Sequence, residues 1–160
     1  SKRLNYPNIK NRGIGGDVTD GVLARIDEIV YFKPKAVFLL IGINDLLNNG
    51  SPDNPSAEYI GNNIIKIAQV ISAKAPKTKV YVQTVLPIDK EIYKNNILKV
   101  NEIIEANEKE NAYEIIDLYS IFATENGLIK KELSSDGIHL NEKGYNTWVE
   151  FIKPIVYSLN

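Results

Sequence analysis

Apolar positions along this chain switch repeatedly between two periods. Ala36-Val37-Phe38-Leu39-Leu40-Ile41 is an unbroken apolar run ending at Gly42, the pattern of a strand buried on both faces. Lys79-Val80-Tyr81-Val82-Gln83-Thr84-Val85-Leu86, stopped by Pro87, predicts a second strand, and Tyr113-Glu114-Ile115-Ile116-Asp117 a third. Asn8-Ile9-Lys10-Asn11, just ahead of a glycine cluster, is a weaker fourth. Helical stripes lie between them: Val22, Leu23, Ile26, Ile29 and Val30; Ile60, Ile64, Ile67, Ala68 and Ile71; Ile97, Val100 and Ile104; and Trp148, Phe151, Ile152 and Ile155. Pro154 falls inside the last stripe and is expected to kink or shorten that helix. Strands and helices alternating at this spacing predict βαβ units around a mostly parallel sheet covered on both faces. Residues 50–56, rich in Pro and Asn or Asp, read as a surface loop within one domain spanning residues 1–160.

In an open α/β sheet, ligands bind in the crevice beyond the carboxyl ends of the strands. Three polar segments fall at such places. In Asn11-Arg12-Gly13-Ile14-Gly15-Gly16-Asp17 the glycines free backbone N–H groups at a helix start, where oxyanions are favoured; taken alone, the segment is explained more simply as a tight strand-to-helix turn needing positive φ. Val18 breaks any G-x-G-x-x-G pattern, so a dinucleotide fingerprint is absent. In Gly42-Ile43-Asn44-Asp45 the Asn44 amide is either a donor aimed into the crevice or an ordinary turn former. Asp136-Gly137-Ile138-His139-Leu140-Asn141 holds the chain's one histidine. A carboxylate three residues before it can fold back on Nδ1–H and leave Nε2 as a base; a capped loop with a solvated His is the alternative. Asp89 reads as a surface carboxylate, and the mid-helix residues Asn62, Asn63 and Ser72 receive no role.

Composition narrows the chemistry. Of 160 residues, 44% are hydrophobic and 24% charged, as in ordinary globular domains. Nineteen Lys and Arg against 20 Asp and Glu leave a net charge of -1, which argues against a nucleic-acid partner. With no Cys, disulfides, thiolate zinc and a cysteine nucleophile are excluded. A single His rules out multi-histidine metal cages, leaving Asp17, Asp45, Asp136 and His139 as the one weakly spaced metal alternative. The apolar runs are too short for a transmembrane segment. The compartment stays open between cytoplasm and a periplasmic or secreted location.

In order and spacing, the three polar segments resemble the second, third and fifth blocks of the SGNH (GDSL-type) hydrolase family, over residues 9–148 or so. The helix over residues 19–29 is also similar to that of small bacterial acylhydrolases and relatives resembling platelet-activating-factor acetylhydrolase. The resemblance implies a flavodoxin-like three-layer α/β/α fold with a central parallel sheet, and ester hydrolysis through a serine acyl-enzyme without metal or organic cofactor. It implies oxyanion donors at the Gly16 N–H and the Asn44 amide, His139 as general base and Asp136 as its orienting carboxylate. The implied substrate is a small acyl ester, acetyl or short-chain, of a carbohydrate or lipid. A non-catalytic ligand-binding relative is the second reading, a metal-assisted hydrolase the third.

The family's first block, a Gly-Asp-Ser after the first strand, has no counterpart here, so no nucleophile is assigned. Ser1 lies too close to Asn11, and Ser134 and Ser135 would require their loop to double back. The first strand is central in this fold, and unpaired backbone groups each cost about 1–3 kcal/mol. The expectation is therefore that polypeptide upstream of Ser1, or strand exchange with another chain in a homo-oligomer, completes the sheet.

Overall fold

The computed structural model describes residues 8–48, 54–110 and 113–159. Three strands, β1 (Ala36–Leu39), β2 (Lys79–Gln83) and β3 (Glu114–Ile116), form one parallel sheet in the order β1-β2-β3. Ala36 lies opposite Lys79, Leu39 opposite Val82, and Tyr81 opposite Glu114. Seven α-helices are described: α1 (Thr19–Ala24), α2 (Ile26–Phe32), α3 (Ile43–Leu47), α4 (Ala57–Lys74), α5 (Lys94–Ala106), α6 (Tyr119–Phe122) and α7 (Glu142–Ser158). Parallel neighbours need a crossover, which α4 supplies between β1 and β2 and α5 between β2 and β3.

Side chains alternate across the sheet and divide the core in two. Val37, Leu39, Val80, Val82 and Ile115 join Ile60, Ile64 and Ile67 of α4, Ile97, Val100 and Ile104 of α5, and Val22 and Ile26 of the first two helices. Phe38, Tyr81 and Ile116 join Phe122, Leu133 and the α7 residues Trp148, Ile152 and Val156. The result is the expected three-layer α/β/α arrangement. On the α7 side the Phe38 and Tyr81 rings stack with centroids 4.9 Å apart. Trp148 Nε1 donates to the buried Gln83 Oε1 at 2.7 Å, pinning the last helix to the middle strand.

Four local expectations change. Residues 8–11 form no strand: Ile9 is their single apolar side chain, and among the described residues β1 pairs with β2 alone, so no strand lies on its other edge. The stripe over residues 22–30 belongs to two helices, broken at Arg25 (φ -115°, ψ 15°). There the Arg25 side chain turns back to Asp17 Oδ2 and the Arg12 carbonyl. Pro154 does not shorten α7, which runs on to Ser158. The carbonyl its missing N–H leaves free, on Glu150, sits at an exposed position where water can serve it. Phe151 is 44% exposed and lies off the buried stripe. Residues 50–53 of the expected loop lie outside the described residues, as does Ser1. Among the described residues no helix is long and apolar enough to cross a membrane.

Candidate active site

Just past β1, Gly42 takes φ +122°, a left-handed conformation that an L side chain would strain. A Cβ there would also press Ile60 Cγ2 at 3.1 Å and Val85 Cγ2 at 3.2 Å. The turn throws Asn44 and Asp45 onto the short helix α3, from which Asn44 reaches the first glycine segment and Asp45 the start of α1. Asn44 Nδ2 donates to the Asp17 carbonyl at 2.9 Å. A carbonyl only accepts, so this bond fixes which end of the amide faces Asp17 and leaves the second Nδ2 hydrogen to point elsewhere. Gly16, immediately before, is exposed at φ +78°, and its N–H has no partner among the described residues. Arg25 braces this turn through Asp17 Oδ2 (Nε, 3.1 Å) and the Arg12 carbonyl (Nη1, 3.0 Å).

Asp45 does a second job that the spacing of residues does not disclose. It is 3% exposed and caps α1 from outside: both carboxylate oxygens accept the Thr19 N–H at 3.1 Å, and Oδ1 accepts the Thr19 hydroxyl at 2.6 Å. Asn63 of α4 donates to Thr19 Oγ1 at 3.0 Å and to Asp20 Oδ1 at 3.2 Å. Burial pushes the Asp45 carboxyl above its ordinary value, against the lowering effect of the Thr19 bonds. The glycine segment and the Gly42–Asp45 turn are thus one assembly. The signal in the sequence is Asn63 itself, an amide on the apolar face of α4 beside Ile60, Ile64 and Ile67. Asn101 repeats it on α5, where its amide clamps both the N–H (2.7 Å) and the carbonyl (3.0 Å) of Val85 just beyond β2.

Asp136 and His139 come together as expected. His139 Nδ1 lies 2.7 Å from Asp136 Oδ2, while Oδ1 accepts the backbone N–H of His139 (2.7 Å) and of Ile138 (2.9 Å). The bond from the His139 side chain, followed by the two backbone N–H groups, holds the Asp136 carboxyl well below the usual carboxylate range. An ionised carboxylate only accepts, so Nδ1 carries a proton, and in the neutral imidazole the lone pair is then on Nε2. The His139 side chain is 80% exposed, so that lone pair is open to an incoming molecule. The turn is stitched to the loop after β2, because Asp89 N–H donates to the Gly137 carbonyl at 2.7 Å. The four candidate residues therefore form two assemblies, Gly16 with Asn44 past β1 and Asp136 with His139 against the loop past β2.

Among the described residues no three His, Asp or Glu side chains gather where a metal ion could be held. Asp17 is engaged by Arg25, Asp45 by Thr19 and Asp136 by His139. An open groove of about 600 Å³ between α5 and residues 117–120 includes none of the four candidates.

The sequence matches the GDSL-like Lipase/Acylhydrolase family over residues 1–147. The chain belongs to that family. This GDSL-like chain is 29% identical over 140 residues to the platelet-activating factor acetylhydrolase IB subunit alpha2 of Homo sapiens, covering 84% of its own length and 58% of the relative's. It therefore spans less than two thirds of the curated relatives it matches. A solved GDSL-like lipase of Bacteroides thetaiotaomicron shares 27% identity at a TM-score of 0.81, over 93% of this chain and 75% of that one. An acetyl xylan esterase shares the fold at 22% identity and a TM-score of 0.72, over 91% of this chain and 78% of that one.

Proposed function

We propose that this GDSL-like protein hydrolyses small acyl esters, acetyl or short-chain, of a carbohydrate or lipid alcohol through a serine acyl-enzyme. One observation carries the reading above all others: a carboxylate oxygen 2.7 Å from His139 Nδ1, with the opposite ring nitrogen open to solvent. In this scheme Nε2 takes the proton of a serine hydroxyl as its oxygen attacks the ester carbonyl. The negative charge on the former carbonyl oxygen is met by the Gly16 N–H and the free Nδ2 hydrogen of Asn44. Collapse of the tetrahedral intermediate breaks the bond to the alcohol, which leaves with the proton from His139. Water, deprotonated by the same ring, then releases the acid and restores the serine.

In this reading the serine is supplied by polypeptide outside residues 1–160, on a strand that pairs with the edge of β1 left without a partner among the described residues. Two features support this placement. β1 is patterned for burial on both faces yet has one neighbour among the described residues, and Ser134, beside Asp136, has its hydroxyl committed to the backbone of its own turn. The name of the relative of Homo sapiens favours an acetyl group as the acyl part.

The test is hydrolysis of p-nitrophenyl acetate by the full-length protein. His139→Ala should abolish release of p-nitrophenol, and Asn44→Ala should lower kcat by about 10²–10³-fold, the usual effect of removing one oxyanion donor. Wild-type rates in either variant remove that residue from the mechanism. An active monomer with an intact mass equal to residues 1–160 would overturn the placement of the serine.

A further inference from the structure

We propose that Ser134 is a positioning residue for the Asp136/His139 pair, its buried hydroxyl closing the turn on which both side chains ride. This rests on the proposed general-base role of that pair. Ser134 is 6% exposed, whereas the Asp136 and His139 side chains are 54% and 80% exposed, so the machinery stands on the surface and its fastening lies beneath. Ser134 Oγ accepts the Gly137 N–H at 2.9 Å and donates to the His139 carbonyl at 2.7 Å. A hydroxyl has one proton, and the 3.4 Å separation from Asp136 Oδ1 is too long to compete for it.

The hydroxyl thereby bridges the middle of the turn to its end. An antiparallel bridge between Ser134 and Leu140 and the Asn141 N–H to Leu133 carbonyl bond (3.0 Å) close the base beneath it. With the base closed, the turn keeps its shape only if the inward-facing N–H of Gly137 and carbonyl of His139 have partners, and Ser134 Oγ serves both. That shape aims the 138 and 139 N–H groups at Asp136 Oδ1, and so presents Oδ2 to the imidazole. Removing the hydroxyl leaves the two side chains in place but frees the backbone frame that aligns them. The ring then spends part of its time off the carboxylate, where nothing holds the proton on Nδ1.

His139 is the chain's one histidine, so its ring nitrogens can be read without ambiguity in ¹⁵N-labelled protein. At about pH 9, above the ordinary imidazole range, long-range ¹H–¹⁵N correlations report which nitrogen carries the proton. The wild type should show a proton held on Nδ1. In Ser134→Ala the two ¹⁵N shifts should move toward each other as the tautomers mix, and Ser134→Thr, which keeps the hydroxyl, should restore them. Asp136→Ala is the control for complete mixing. Should Ser134→Ala fail to fold, Ser134→Cys, which keeps the size but bonds weakly, takes its place under the same criteria. Wild-type shifts in the folded hydroxyl-free variant overturn the proposal. Wild-type shifts in Asp136→Ala would instead overturn the pairing on which the hydrolase reading stands. Absence of esterase activity in the full-length protein would refute that reading and leave the tautomer result intact.

Discussion

Thr19→Val removes one hydroxyl from the assembly joining the two proposed oxyanion donors and keeps its volume. Thr19 has no exposed surface. Its hydroxyl donates to the Asp45 carboxylate at 2.6 Å and accepts from Asn63 at 3.0 Å. A hydrogen bond to a charged group contributes about 1.5–3 kcal/mol and a neutral one about 0.5–1.5 kcal/mol, so together the loss should be about 2–4 kcal/mol. The Asp45 bonds from the Thr19 backbone and the Asn63 bond to Asp20 remain, which keeps the figure from rising further. At this chain length the midpoint of thermal unfolding should fall by about 5–15 °C. Urea unfolding should give a lower midpoint with an unchanged slope. The pH dependence supplies a second check. Burial holds the folded Asp45 carboxyl above its unfolded value, so its contribution to stability is greatest in acid and is lost as pH rises through the folded value. Without the Thr19 hydroxyl that value moves further up, so the deficit should be full when Asp45 is ionised and shrink as it becomes protonated. A loss below about 0.5 kcal/mol, the range of inert surface changes, would refute the reasoning, as would a deficit that grows in acid.

Gly137→Ala should destabilise by at least about 1–2 kcal/mol in urea unfolding, since the residue sits at φ +78° and a Cβ would lie 2.6 Å from Asp89 Cβ. An unchanged midpoint would mean that the turn and the loop after β2 are not held together as described. The Asp136 carboxyl is held below its unfolded value, so its contribution is present above the ordinary carboxylate range and is lost as pH falls through the folded value. Asp136→Asn should therefore flatten the rise of thermal midpoint between about pH 2 and 5, and an identical slope would contradict the sign.

The sheet was legible because its strands are nearly continuous apolar runs, and α4 and α5 because their stripes are long. Residues 8–11 misled because strand-like spacing says nothing of whether a partner lies alongside. The Asp136/His139 contact could be read because three residues of separation with an intervening Gly suffice to bring the groups together. The Asp45, Thr19 and Asn63 assembly could not, because its members are 18 to 44 residues apart and meet only once α1, α3 and α4 have packed. Ser134 shows the same limit at short range. Proximity to Asp136 suggests a reacting group, whereas its direction, inward to the backbone, is a matter of geometry alone.

Trp148 is the chain's single tryptophan, and its indole N–H rests on a side chain of the middle strand. Intrinsic fluorescence excited at the red edge of the absorption band therefore watches one docking event, the seating of α7. A detachment of that helix ahead of global unfolding would register as an early red shift while far-ultraviolet circular dichroism still reported an intact sheet.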